Sequence, residues 1–267
     1  MKTKTVFNKD FLYGTIVLFL VVCPYAILFF QNPEQRINYT QEDGIIENLS
    51  AIFFLLASIV FLFLFFKSRT EDKIYFLKRN RNYFFLLLGL LLFFCFGEEI
   101  SWGQRIFNIM VPDQWKAINT QQELNFHNLY IFQGNVDGNI KKTGIALWIT
   151  APRIFLLIWF FYCLMIPIAI KFSPKLRLFS RKIYFPIVPI WLGFLFLLNQ
   201  IICSSVSVIL QLKDRQPSVE IKETNYGFLY LLVGIYFYIS YRKSKSLVNH
   251  KKSVKYIESH HRFSFKF

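Results

Sequence analysis

Residues 83–102 read YFFLLLGLLLFFCFGEEISW, and this stretch indicates the fold. Residues 84–97 carry no charge, and Glu98 and Glu99 follow them directly. A transmembrane helix needs about 20 predominantly apolar residues. Because the uncharged run is shorter than that, a helix that crosses the bilayer here carries both glutamates into the interface or deeper. We therefore expect 83–102 to be a spanning helix with two carboxylates near one end.

Further apolar runs flank this one, at 11–30, 45–66, 144–170, 183–212 and 226–241. Each run is continuous rather than alternating, which favours helices over the strands of a membrane barrel. The 267-residue chain is 54% hydrophobic and 18% charged, whereas soluble domains are about 45–50% apolar and about 25% charged. We predict an all-α polytopic membrane protein, with one bundle of six transmembrane helices over 1–241 and a basic tail over 242–267.

The distribution of Lys and Arg predicts the orientation, because cytoplasmic loops are enriched in both. Alternate loops and the two termini hold 22 of the 31 basic residues and only four of the 16 acidic ones. This distribution predicts that both termini are cytoplasmic, that a partly helical loop at 103–143 is periplasmic, and that the protein resides in a bacterial inner (plasma) membrane. The basic excess is then a topology signal, and no nucleic-acid partner is expected.

Polar residues interrupt the apolar runs at a few places, and an ionisable group inside a membrane needs a partner or a function. With the orientation above, these residues all fall in the outer half of the bilayer: Asp43, Glu47, Glu98, Glu99, Arg153, Asn199 and Gln200. The periplasmic loop adds a second polar set: Arg105, Glu123, Asn125, His127 and Asn128. We predict that both sets converge in one pocket beneath the outer surface of the membrane.

The residue types in these sets suit acid–base chemistry. Glu98 or Glu99 would act as a general base towards water, and His127 would act as a second acid or base. Arg105 or Arg153 would stabilise a developing anion or bind a phosphate. The amides interpreted as substrate contacts are Asn125, Asn128, Asn199 and Gln200.

A metal site is a further interpretation of the same residues. Glu47, Glu99, Glu123 and His127 offer carboxylate and imidazole ligands that would suit a divalent metal. Glu123 and His127 would share one face if their segment is helical. The spacing matches no known metal motif, so a metal cofactor is left open.

Each candidate also has a structural interpretation. Glu98 or Glu99 with Arg105 would form an ion pair that closes the outer end of a helix, because buried charges pair with one another. Asn199 and Gln200 would bridge neighbouring helices by hydrogen bonds.

Two motifs in the first half of the chain carry resemblances to known families. Residues 97–107 read GEEISWGQRIF and residues 123–128 read ELNFHN. Together they resemble uncharacterised bacterial multi-pass membrane proteins, a resemblance that implies no activity. The adjacent glutamates followed by Arg105, with His127 and Asn128 downstream, are also similar to the CAAX-protease-like intramembrane hydrolases. That likeness implies a hydrolase, although the family has a shorter Glu–Arg spacing, more histidines and more spans.

The leading functional hypothesis is a membrane-embedded hydrolase or transferase, in contact with membrane lipid, that acts on a lipid or peptide substrate from the periplasmic side. The alternative is a non-enzymatic protein, such as a transporter, receptor or assembly subunit. In that case the acidic cluster is an ion-paired structural feature or a ligand-binding feature.

Overall fold

The computed structural model describes residues 3–40, 44–69, 80–104, 106–133, 143–144, 146, 149–211 and 216–263. The candidate residues Asp43 and Arg105 lie outside these ranges. The described α-helices are α1 (Thr3–Phe30), α2 (Pro33–Thr40), α3 (Ile45–Lys67), α4 (Tyr83–Glu99), α5 (Asp113–Lys116), α6 (Ala151–Trp159), α7 (Ile166–Phe172), α8 (Pro174–Lys182), α9 (Ile190–Ile209) and α10 (Gln216–Phe263). A π-helical turn, Phe160–Met165, joins α6 to α7. The described ranges contain no strand, so the prediction of an all-α fold is confirmed.

Four helical segments within the described ranges are long and apolar enough to cross a membrane. They are Tyr13–Phe30, Ile45–Lys67, Ala151–Phe172 and Ile190–Ile209, which correspond to four of the six predicted spans. The helix expected over 144–170 begins at Ala151, and the one expected over 183–212 begins at Ile190. The later start of α9 follows from its two preceding prolines, because residues 185–189 are not helical and Pro189 is the N-cap.

The other two predicted spans lie in helices of different length. The helix expected over 83–102 is α4, which has 17 residues and ends at Glu99. It ends there because Ser101 and Trp102 adopt positive φ values of 44° and 53°, which leave the right-handed helical region. The apolar run at 226–241 lies inside α10, which begins at Gln216 with Pro217 in its first turn, a position that proline favours.

Helix α3 lies at the centre of the bundle and packs along both α4 and α10. The main core contains Phe61 of α3, Leu92 of α4, Trp159 of α6, Phe196 of α9 and Tyr230 of α10, all of them almost completely buried. The rings of Trp159 and Phe196 stack with centroids 5.7 Å apart. Aromatic packing of this kind contributes beyond the area that it buries, so it holds α6, α9 and α10 together.

One helix contact depends on a glycine. A Cβ atom on Gly193 of α9 would lie 2.2 Å from the carbonyl oxygen of Cys163, in the π-helical turn. No side chain fits at that separation, so the absence of a Cβ lets α9 approach this turn closely.

Helices α1, α9 and α10 are joined by a buried hydrogen-bond network around Asn199. Asn199 Oδ1 accepts bonds from Tyr25 Oη at 2.8 Å and from Asn225 Nδ2 at 2.9 Å. Its Nδ2 donates to the carbonyl oxygen of Lys222 at 2.9 Å. Asn225 Nδ2 also donates to the carbonyl oxygen of Val21 at 3.0 Å. Asn199 is fully buried, and these bonds are those of its structural interpretation, a side chain that bridges neighbouring helices.

The loop after α4 contains the short helix α5, and its polar motif is built from turns. Residues 117–129 are not helical, and the short α5 precedes them. Asn119 Oδ1 accepts hydrogen bonds from the backbone N–H groups of Gln121 and Glu123, at 3.0 and 3.3 Å. The Asn119 side chain also donates to the carbonyl oxygen of Asn125 at 2.9 Å. Asparagine commonly stabilises turns in this way.

Candidate functional site

A cavity of about 300 Å³ lies where the C-terminal end of α4 meets the loop, α6 and the beginning of α10. Its wall is mainly apolar and includes Phe54 of α3, Phe94 of α4 and Phe155 of α6. The polar residues in its lining are Glu98, Glu99, His127, Gln133, Gln200, Lys222 and Glu223. The predicted convergence of α4, the loop and α9 at one site is therefore present for Glu98, Glu99, His127 and Gln200. An apolar pocket with a few polar groups at one place is the usual form of a ligand site.

The Glu98 carboxylate holds the loop against the end of α4. The backbone N–H groups of Phe126 and His127 donate to Glu98 Oε2 at 2.8 and 2.7 Å. Trp102 Nε1 donates to Glu98 Oε1 at 2.6 Å, and His127 Nδ1 lies 3.2 Å from Oε2. Hydrogen bonds to an ionised carboxylate are stronger than those to a neutral acceptor. We call this set of contacts the Glu98 clasp.

The local sequence explains how Trp102 reaches Glu98. Helix α4 ends at Glu99, so a continuous helix does not place Trp102 on the same face as Glu98. Instead the chain reverses through three successive residues of positive φ, Ser101, Trp102 and Gly103. The reversal folds the indole back onto Gly97, where a Cβ would lie 2.9 Å from the ring. Gly97 thus leaves the space in which the indole packs while its N–H donates to the carboxylate.

Glu123 has a structural place in the loop. Its Oε2 accepts hydrogen bonds from Ser101 Oγ at 2.8 Å and from Asn125 Nδ2 at 2.6 Å. Its carbonyl oxygen accepts a bond from Trp115 Nε1 at 2.7 Å. These contacts connect the reversal after α4 to the middle of the loop, so Glu123 stabilises the loop from within.

The two loop asparagines predicted as substrate contacts are buried within the loop. Asn125 donates to Glu123 as described, and Asn128 Nδ2 donates to Gln121 Oε1. Gln133 Nε2 in turn donates to Asn128 Oδ1 at 3.1 Å. Neither asparagine lines the cavity, so the structure assigns both to loop folding.

His127 presents one ring nitrogen to Glu98 and leaves the other available. The carboxylate oxygen is an acceptor, so Nδ1 carries the proton, and in the neutral imidazole Nε2 is then the basic nitrogen. Within the described residues no hydrogen-bonding group reaches Nε2. The His127 side chain is 42% exposed and lines the cavity. The imidazole is therefore oriented by a carboxylate while its second nitrogen stays free to accept a proton.

The pKa of His127 is raised above its ordinary value. Burial by itself lowers the pKa of the imidazole, but the hydrogen bond to Glu98 and the negative charges of Glu223, Glu98 and Glu123 raise it by more. The raised pKa means that the carboxylates around His127 make its imidazole a stronger base.

The remaining carboxylates of the region come from three helices. The charges of Glu223 and Glu220 on α10, and of Glu47 on α3, act electrostatically on Glu99. Lys222 lies among them, and its Nζ is 3.9 Å from Glu223 Oε1. Lys222 is 9% exposed and lines the cavity. It therefore brings a positive charge to a mainly apolar cavity whose other charged side chains include three glutamates, Glu98, Glu99 and Glu223.

Lys222 and Glu223 are functional candidates that the sequence interpretation missed. Their segment precedes the apolar run predicted at 226–241, whereas in the structure it forms the first turns of α10. The helical period offered a signal: Ser218, Ile221, Asn225 and Leu229 recur at spacings of three and four, and all four are buried. That pattern extends the buried face of α10 before the apolar run begins.

Several predicted site residues do not reach the cavity. Arg153 is exposed on α6, although its neighbours Pro152 and Ile154 line the wall. The described residues contain no group of three or more His, Cys, Asp or Glu side chains placed to hold a metal ion. The predicted ligand set of Glu47, Glu99, Glu123 and His127 is accordingly not assembled.

Gln200 joins the cavity to the bundle. It accepts a hydrogen bond from Tyr226 Oη at 2.7 Å, and both residues line the cavity. The neighbouring Asn199 points into the interior of the bundle. One of the two adjacent amides therefore faces the site and the other joins helices.

Comparison of the chain with protein-family models, with curated proteins and with solved structures finds no match.

Proposed function

We propose that this protein is a multi-pass membrane protein whose cavity is the site of a hydrolase or transferase acting on a lipid or another amphiphilic substrate. The single observation that carries the proposal is the geometry of Glu98 and His127 at an apolar cavity. Glu98 fixes the imidazole through Nδ1, so that Nε2 is the basic atom. A carboxylate plays the same part towards histidine in many hydrolases.

The chemistry would proceed by proton transfer at His127 Nε2. As the oxygen of a water or hydroxyl attacks an acyl or phosphoryl centre, Nε2 takes its proton, and the same proton then passes to the departing oxygen or nitrogen. Lys222 would stabilise negative charge that develops on the substrate. It takes the part expected of Arg105 and Arg153, of which the latter is exposed and does not belong to the cavity lining.

The surroundings of the cavity support an amphiphilic substrate. Helices α4 and α6 both line the cavity but barely contact one another. Phe94, Phe126 and Ile154, which belong to the lining, are exposed. An opening between two helices with apolar side chains at its edge suits entry of an apolar chain from the bilayer.

The proposal includes six membrane spans, with both termini on the basic side and the loop on the opposite side. The loop has an exposed apolar segment that would enter the outer interface: Ile106, Phe107, Ile109 and Met110. An impermeant thiol reagent tests this topology on intact cells. We expect Asn108→Cys in the loop to be labelled and Ser244→Cys after the last apolar run to be protected. The opposite result, or labelling of both, would contradict the proposed orientation.

The test of activity uses purified protein in vesicles of a polar lipid extract, with lipid products detected by mass spectrometry. We expect the wild type to convert one lipid class, and His127→Ala to lose this activity while it still accumulates in the membrane. His250→Ala, in the basic tail, is the matched control and should remain active. Equal activity of the wild type and His127→Ala would refute the catalytic assignment.

One observation favours a non-enzymatic second candidate, a ligand-binding or assembly protein. Among the described residues, every hydrogen-bond donor to the Glu98 carboxylate comes from the loop or from the turn before it, as expected of a purely structural clasp. In that case the wild type converts no lipid, and His127→Ala is degraded rather than inactive.

A further inference from the structure

A second cavity, of about 420 Å³, lies at the other end of the bundle from the Glu98 clasp. Its lining comes from the start of α4, the end of α8, the segment between α8 and α9, and Phe237 of α10. Phe85, Phe185 and Phe237 provide aromatic surface within it, and Ser180 and Arg181 provide polar groups. The site is independent of the proposed catalytic cavity.

Arg181 brings a positive charge to this cavity. Among the described residues no side chain pairs with its guanidinium, and Arg181 is exposed. The other polar side chains of the lining are engaged with the protein. Asn82 Nδ2 donates to the carbonyl oxygen of Tyr184 at 2.9 Å, and Ser180 Oγ donates to the carbonyl oxygen of Arg177 at 3.0 Å. A planar guanidinium at a cavity is well suited to bind phosphate through two hydrogen bonds.

Helix α8 has the composition of a helix that lies in a membrane interface. It starts with Ser173 Oγ capping the N–H of Leu176 and with Pro174 in its first turn. Leu178 and Phe179 are 67% and 58% exposed. The helix also carries four basic residues: Lys175, Arg177, Arg181 and Lys182. Exposed apolar side chains between basic ones suit a helix lying at the level of the lipid headgroups.

Two further described residues at this end of the bundle, Arg81 and Lys67, carry charge of the same sign. Arg81 at the start of α4 lies over the rings of Phe65 and Phe66, 5.2 and 5.3 Å from their centroids. Lys67 lies 5.5 Å from the centroid of Phe63. Cations near aromatic rings at the end of a span are typical of the membrane–water boundary. Basic pockets between helices on the cytoplasmic side attract anionic headgroups.

We propose that the second cavity binds the headgroup of an anionic phospholipid from the leaflet on the basic side, with Arg181 holding its phosphate. The acyl chains would lie against Leu178 and Phe179, and the aromatic lining would pack against the glycerol backbone. The site would fix the depth of α8 in the membrane. Lipid binding at this site does not depend on the catalytic activity proposed for the first cavity.

The test measures the thermal stabilisation of the full-length protein in an uncharged detergent during titration with dioctanoyl phosphatidylglycerol. We expect Arg181→Gln to weaken the apparent affinity about tenfold, as when a charge-assisted hydrogen bond to phosphate is lost. Lys175→Gln is the matched control: it removes one charge from the same helix but from a residue outside the cavity lining, and should bind as the wild type does. Arg181→Lys keeps the charge but loses the planar pair of donors, so it should recover only part of the affinity.

Three results would overturn the proposal. Equal affinities of Arg181→Gln and the wild type would mean that Arg181 does not hold the phosphate. Equal weakening in the Lys175 and Arg181 variants would mean that the attraction is spread over the basic surface. Glycerol phosphate binding as tightly as the lipid would mean that the cavity takes a soluble anion rather than a phospholipid.

Discussion

Replacing Glu98 with glutamine should release the loop from the end of α4. Glutamine has nearly the same volume but only one acceptor oxygen, whereas the clasp uses both oxygens of the carboxylate. If the amide oxygen takes the position of Oε2, the side-chain NH₂ faces the Trp102 N–H. If the amide is turned round, the NH₂ faces the backbone N–H groups of Phe126 and His127. In either orientation at least one donor of the clasp loses its acceptor.

The size of the effect follows from the bonds involved. Leaving a partly buried donor unpaired costs about 1–3 kcal/mol. The two bonds from Phe126 and His127, at 2.8 and 2.7 Å, would then go to a neutral acceptor. Each is weakened by about 1 kcal/mol when the acceptor loses its charge. The free energy of loop docking should therefore fall by about 3 kcal/mol or more.

Hydrogen exchange of the protein in lipid nanodiscs measures this loss directly. The backbone amides of Phe126 and His127 should exchange about 100-fold faster in Glu98→Gln, because about 3 kcal/mol corresponds to that factor. Glu223→Gln makes the same chemical change in the same cavity, but the ion pair of Glu223 is with Lys222. The control should lose far less protection at both amides, because their acceptor is Glu98 and not Glu223. Unchanged protection in Glu98→Gln, or equal loss in the two variants, would refute the role of the clasp.

Four further outcomes are expected. Burial lowers the pKa of His127 and nearby charges raise it, Glu223 among them, so Glu223→Gln should lower the pH at which the His127 resonance titrates; an unchanged or higher value would contradict this. The protonated imidazole of His127 stabilises the docked loop fully below the pKa of histidine in the unfolded chain, about 6.5. This stability is lost as the pH rises through the raised pKa of His127 in the folded protein. The loop amides should therefore exchange faster over that pH range, after correction for the intrinsic pH dependence of exchange. Asn199→Leu removes three interhelical bonds, each contributing about 0.6 kcal/mol in membrane proteins, so the unfolding free energy should fall by about 2 kcal/mol; a loss confined to lipid conversion would instead indicate a site residue. Gly193→Ala should destabilise the bundle by about 1–3 kcal/mol through overpacking, whereas Gly14→Ala, where nothing lies within 4 Å of the added Cβ, should unfold at the wild-type temperature or slightly above it.

Charge and hydropathy were enough to predict the all-α fold and the meeting of Glu98, Glu99 and His127. The loop follows α4 directly in the sequence, so its polar motif is expected near the two glutamates at the end of α4. The contact between Trp102 and Glu98 could not be predicted in its observed form, because it depends on a chain reversal through non-glycine residues of positive φ.

Side-chain direction was the main limit of the prediction. Asn199 and Gln200 are adjacent, and on a helix neighbouring residues point about 100° apart. One therefore joins helices and the other lines the cavity, a distinction that hydropathy does not make. The same holds for Arg153, which is exposed while Ile154 faces the cavity. Lys222 is not predicted as a site residue because its segment has low hydropathy, although it belongs to the same helix, α10, as the apolar run at 226–241.

The left-handed turn after α4 has an energetic consequence for access to the cavity. Non-glycine residues in this region cost about 1–2 kcal/mol each, and both Ser101 and Trp102 adopt it. The docked loop therefore stores backbone strain, and the hydrogen bonds of the Glu98 clasp hold it in place. A molecule that hydrogen-bonds to the Glu98 carboxylate would displace the donors of the loop and so favour its release. Binding of a ligand in the cavity and opening of the loop would then be thermodynamically coupled.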